Sequence, residues 1–149
     1  MAEVVIRAEL ADAGLADRVR VQSAGTGDWH LGERMDRSAV AELRRRGYDG
    51  SAHRARQIGH EWLERFDLLI ATDQGNLRRL RQMALGRAEL EHRIRLLRSF
   101  DPAAPEGADV PDPYGGPPQE FADVFDMVKA AATGLVGGLA KVLADAGSG

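Results

Sequence analysis

The sequence predicts an α/β domain built on a parallel sheet with helices on both faces, and three observations carry that expectation. Short apolar runs at residues 19–23, 66–71 and 94–97 alternate with longer stretches whose apolar side chains recur every three or four positions. The run Phe66, Asp67, Leu68, Leu69, Ile70, Ala71 is almost continuously apolar, as in a strand that a sheet buries on both faces. The chain has 149 residues and no internal repeat, enough for one domain that buries about two-thirds of its unfolded surface.

Taken in order, residues 2–15 place Val4, Val5, Ala8, Ala11 and Leu15 on one helical face, with Gly14 as the stop. Residues 19–23 read as a short strand, followed by a Gly-punctuated loop that ends on Trp29. Asp36 is placed to cap a helix over residues 37–46, with Ala39, Val40 and Leu43 inward and Gly47 as its terminator. Arg44, Arg45 and Arg46 read as a solvated helix end that complements the dipole. Residues 51–58 are irregular, and a helical turn covers residues 61–65. After the strand at residues 66–71, Thr72 and Asp73 can cap a helix over residues 76–83.

Residues 94–97 give a third strand, and residues 98–118 form the longest loop. A final helix over residues 119–144 spaces Phe121, Val124, Phe125, Val128, Ala132, Leu135, Leu139 and Leu143 three or four apart. Gly134, Gly137 and Gly138 either weaken its middle or permit close packing there. One domain over residues 1–145 and a disordered tail over residues 146–149 are expected. Three strands, with the chain opening on a helix, fall one strand short of a complete sheet of this type.

Composition excludes several functions. A net charge of −3 and a pI near 5.8 argue against a general nucleic-acid binder. With no cysteine, neither a disulfide framework nor a thiolate metal site is available. His30, His53, His60 and His92 lack ligand spacing, so no metal and no cofactor is expected. Apolar stretches are broken by charges or glycines short of the roughly 20 residues of a membrane span. Met1 is not followed by a basic-then-apolar signal segment, and the chain reads as cytoplasmic, with no membrane partner.

Chemistry concentrates in Asp109-Val110-Pro111-Asp112-Pro113-Tyr114-Gly115. Two prolines restrict the backbone around Asp112, which suits a proton donor that must stay within reach of a leaving group. The plain alternative is a turn, since Asp, Pro and Gly are ordinary turn residues. Ser23 and Thr26 offer hydroxyls, but a hydroxyl without a base is a poor nucleophile, and no histidine is an evident partner from sequence. Asp73 reads as a helix cap rather than a catalytic acid.

Several blocks together resemble one family, the low-molecular-weight protein tyrosine phosphatases. Met1-Ala2-Glu3 resembles the start of its first helix, and Ser23-Ala24-Gly25-Thr26 with Asp28-Trp29 the loop after its second strand. His53-Arg54-Ala55-Arg56-Gln57 resembles the segment before its third strand, and residues 67–73 with Asn76-Leu77-Arg78 that strand and the next helix. Asp112-Pro113-Tyr114 resembles its proton-donor loop.

The resemblance implies a three-layer, doubly wound sheet of four strands in the order 2-1-3-4. It implies hydrolysis of phosphotyrosine, in a protein or a small aryl phosphate, through a cysteinyl-phosphate. Asp112 would be the general acid and base, Trp29 and Tyr114 would wall the cleft, and Ser23 and His53 would support the phosphate-binding loop. The family's Cys-x5-Arg loop and the strand before it have no counterpart here, so the chain is expected to be truncated at its N-terminus and inactive as it stands. A slot in the sheet between residues 19–23 and 66–71, where that strand would lie, or a neighbouring segment filling it, is expected. Gly115 replaces the second tyrosine often found after Asp-Pro-Tyr. The alternatives are a truncated, non-catalytic pseudophosphatase or partner-binding remnant, and an arsenate-reductase-like relative, which would need cysteines.

Overall fold

A computed structural model describes residues 1–25, 32, 34–54 and 56–147. Its elements are α1 (Ala2–Asp12), α2 (Arg37–Arg45), α3 (His60–Arg65), β1 (Leu69–Ala71), α4 (Gln74–Met83), α5 (Ala88–Glu91) and β2 (Ile94–Leu96). A 3-10 turn (Leu97–Phe100) and the long helix α6 (Pro118–Gly147) follow. The architecture is α/β, as expected. Strands β1 and β2 pair in parallel, Leu69 opposite Ile94 and Ala71 opposite Leu96.

The layers follow from alternation along β1. Leu69 and Ala71 turn into a core shared with Leu63, Leu77, Leu80, Ala84 and Leu90, on the side of α3, α4 and α5. Leu68 and Ile70 turn the other way and pack against the core of α1 and α6. Helices therefore cover both faces, which is why residues 66–71 read as an almost unbroken apolar run.

Two expectations are corrected. Residues 19–23 form no strand, and among the described residues the sheet has two strands rather than the three expected here of the family's order 2-1-3-4. A strand exists only through paired neighbours, and the carbonyl of Val21 accepts instead from the Arg7 guanidinium at 2.5 Å. The nearest backbone pairing is an isolated parallel bridge from Gly25 to Gln57. Beside this unpaired stretch a cavity of about 490 Å³ opens against α1, lined by Arg7, Leu10, Val19 and Val21 among others. Helix α1 is also rotated from its expected face: Val5, Ile6 and Leu10 are buried and Ala11 is exposed.

Helix α6 extends to Gly147, two residues into the stretch expected to be disordered. By length and mean hydropathy it would pass for a membrane span, but Phe121, Val124, Phe125, Val128, Ala131, Ala132, Leu135 and Val136 are buried in the core. Its flank is tied down by polar contacts. Lys129 pairs with Glu9 of α1 and donates to the Tyr48 hydroxyl at 3.2 Å, while Tyr48 packs on Phe125 with ring centroids 5.6 Å apart. Arg46 is more than a solvated helix end: its guanidinium lies 4.6 Å from the Phe125 ring centroid and pairs with Asp126 at 3.1 Å.

The glycines of α6 divide by role. A Cβ at Gly134 would overlap the carbonyl oxygen of Phe100, so this glycine lets the 3-10 turn lie directly on the helix, whereas Gly137 and Gly138 have nothing within 4 Å. Gly134→Ala is therefore expected to lower stability by about 1–3 kcal/mol, the usual cost of overpacking a tight contact. Gly138→Ala should be neutral or slightly stabilising, since it removes glycine's helix penalty of about 1 kcal/mol without a clash. Urea unfolding of both variants checks the contrast, and equal effects would contradict it.

Candidate active site

The end of β1 organises the candidate site. Immediately after the strand, Asp73 accepts from the Asn76 amide at 2.7 Å and caps α4, the structural role expected for it. The next amide, that of Gln74, donates to Asp109 Oδ1 at 2.8 Å across 35 residues of sequence. Two carboxylates thus meet the positive end of α4, where unpaired N–H groups and the helix dipole favour negative charge.

Three more bonds hold the same stretch of loop. The Val110 amide donates to Thr72 O at 2.7 Å, Gln74 Nε2 to Gly107 O at 3.1 Å, and Arg98 Nη1 to Asp109 O at 3.0 Å. Val110 is buried, so the loop is pinned by an apolar plug as well as by hydrogen bonds.

Asp112 emerges two residues beyond this anchor and is exposed. Its Oδ1 accepts from the Tyr114 amide at 3.0 Å, and the Gly116 amide donates to Pro113 O at 2.8 Å. The turn reading and the acid reading are therefore compatible: the turn fixes the carboxylate and leaves it open to a ligand. Tyr114 is 73% exposed and fills no part of the core. Trp29, expected opposite it, and Thr26 lie outside the described residues.

Ser23 and His53 meet as a second pair. Ser23 Oγ lies 3.0 Å from His53 Nε2, so the hydroxyl has the imidazole partner that no sequence spacing revealed. Burial is the main reason His53 titrates below the ordinary histidine range. The positive charge of the chain's amino terminus and, more weakly, Arg56 and Arg54 act in the same direction, and Glu3 opposes them. His53 Nδ1 and Glu3 Oε1 are buried without a partner among the described residues. No hydrogen bond joins Ser23 and His53 to Asp112 and Tyr114 among the described residues, nor does any cluster of three metal-ligating side chains occur among them. Sequence reasoning missed Gln74, Arg98 and Asp109, whose partners are 11 to 35 residues distant and so leave no local pattern.

The depressed His53 value fixes a sign. The unfolded chain takes up a proton at the ordinary histidine value near 6.5, while the folded chain resists until lower pH, so stability rises with pH through that window and falls on acidification. The midpoint of thermal unfolding is expected to drop between pH 7 and pH 5. His53→Gln, which keeps a hydrogen-bonding group for Ser23, should flatten part of that drop. An identical pH profile for the variant would remove His53 as its source.

With the geometry described, comparison with known proteins is direct. The family model described as "Low molecular weight phosphotyrosine protein phosphatase" matches residues 1–145. This match does not support the expected N-terminal truncation. The chain is 48% identical over 137 residues to the low molecular weight protein-tyrosine-phosphatase of Streptomyces coelicolor, spanning 91% of this chain and 82% of the relative. It is 46% identical to low molecular weight protein-tyrosine phosphatase A of Mycobacterium bovis, over 91% of this chain and 80% of the relative. Among solved structures, YfkJ of Bacillus subtilis superposes with a TM-score of 0.84 at 31% identity, over 94% of this chain and 85% of that one. The chain belongs to the low-molecular-weight phosphotyrosine protein phosphatase family.

Proposed function

We propose that the reaction this fold serves is the family's hydrolysis of phosphotyrosine, in a protein or in a small aryl phosphate, with Asp112 supplying the proton chemistry once a nucleophile loop is present. The observation that carries this reading is the Asp112 carboxylate itself: exposed, held by the Tyr114 amide, and two residues beyond a loop segment pinned to the end of β1. In the family's reaction a cysteine thiolate attacks phosphorus while the P–O bond to the phenol breaks. Asp112 would give its proton to the departing phenolate oxygen. As a carboxylate it would then take a proton from the water that attacks the cysteinyl-phosphate and releases inorganic phosphate. Tyr114 and Trp29 would stack on the phenyl ring. Ser23 and His53, bonded to each other, would brace the phosphate site. A cytoplasmic setting belongs to the same reading.

The sequence contains no cysteine, and this favours a second reading for the chain as it stands: a non-catalytic pseudophosphatase or partner-binding remnant. A general acid alone supplies only about 10²- to 10⁴-fold, far below what phosphoester hydrolysis requires. Purified protein is expected to hydrolyse para-nitrophenyl phosphate no faster than buffer, and turnover that disappears in Asp112→Ala would refute this.

The role of Asp112 is tested separately, by joining a strand and a Cys-x5-Arg-Ser segment ahead of Met1. Turnover is then expected, with kcat falling about 10²- to 10⁴-fold in Asp112→Ala and KM little changed. An unchanged kcat would remove Asp112 from the mechanism.

A further inference from the structure

We infer that Asp109 is a positioning residue for Asp112, a role that rests on Asp112 being the acid of the site. Asp109 bonds in two directions. Its carboxylate accepts the Gln74 amide at 2.8 Å at the start of α4, and its carbonyl accepts Arg98 Nη1 at 3.0 Å from the 3-10 turn after β2. Both strands of the sheet therefore converge on one residue of the loop, because α4 follows β1 after only Thr72 and Asp73 and the turn follows β2 directly.

Asp109 is well suited to this. A negatively charged side chain at the N-terminus of a ten-residue helix is held by an amide that has no intrahelical partner and by the dipole. Next to it, the Val110 amide donates to Thr72 O at 2.7 Å and the Val110 side chain is buried. Pro111 and Pro113 then leave the chain little rotational freedom before and after Asp112. A displacement at residue 109 is thus transmitted to residue 112 rather than absorbed between them.

Two other nearby acids lack this reach. Asp101 accepts from the Ala103 amide at 2.9 Å, a local turn two residues long. Asp73 caps α4 by itself through Asn76, so α4 keeps a cap when Asp109 is removed.

The test is backbone amide exchange of the 149-residue protein by NMR, with Asp109→Ala, Asp109→Asn and Asp101→Ala, following Val110, Tyr114 and, inside α4, Leu77. Asp109→Ala is expected to speed exchange at Val110 and Tyr114 by about tenfold or more, through local opening of the loop, with Leu77 unchanged. Asp109→Asn, whose side-chain carbonyl still accepts the Gln74 amide, should stay within about threefold of the parent, as should Asp101→Ala. Val110 and Tyr114 amides that keep parental protection in Asp109→Ala would overturn the inference. So would acceleration that spreads equally to Leu77, which would reduce Asp109 to a second cap of α4. None of these readouts involves turnover, so their failure is distinct from failure of Asp112 in the joined, cysteine-bearing protein.

Discussion

The apolar stripe of α6 is the constraint on which the rest of this molecule depends. Phe121, Val124, Phe125, Val128, Leu135 and Val136 are buried, at roughly 1.5–3 kcal/mol each. That gross contribution is as large as the whole net stability of a typical domain, about 5–15 kcal/mol. It organises three neighbours at once. Helix α1 lies on it through Val5, Ile6 and Leu10, α2 through Leu43, and the 3-10 turn through Leu97 and, at Gly134, the carbonyl of Phe100. The turn in turn carries Arg98, so the packing of α6 reaches the loop that presents Asp112.

That chain of contacts explains why the candidate site is a sheet-end site. The last residues of β1 and β2 each hand over to an element whose terminus points at residues 107–110. Electrostatics and sterics then agree. Acids at residues 73 and 109 occupy the positive end of α4, and prolines at 111 and 113 stiffen the way to Asp112. Ser23 and His53 pair with each other close to the start of α1, where burial lowers the imidazole's tendency to charge. The cavity beside residues 16–21 lies against α1, next to an extended segment that has no ladder.

Much of the fold was legible in the residues. The three- and four-residue spacing located α2, α4 and α6 to within a few positions, because each buries a single face on a common core. Residues 66–71 announced a strand covered on both sides, and Asp36 and Asp73 announced the helix starts that they cap. Less legible were the short elements. Helix α5 and the 3-10 turn, four residues each, are too brief for periodicity to appear. Residues 19–23 have a strand's composition and no strand's partners. Propensity describes one chain segment, whereas a ladder needs a second at about 4.8 Å.

The same division separates the residues of the site. By itself, the sequence determined that Asp112 sits between two prolines with Tyr114 next to it, because a proline's φ is set by its own ring. It also determined that no thiol exists anywhere in the chain. Only the tertiary structure could decide that Ser23 finds His53, that Gly134 receives the carbonyl of Phe100, and that Asp109 joins the ends of both strands. Hydrogen bonds and close contacts act over about 3 Å, and the partners concerned are separated by tens of residues along the chain. Which of them come within that distance is set by the packing of α6 and the pairing of β1 with β2, and no local pattern of residues encodes it.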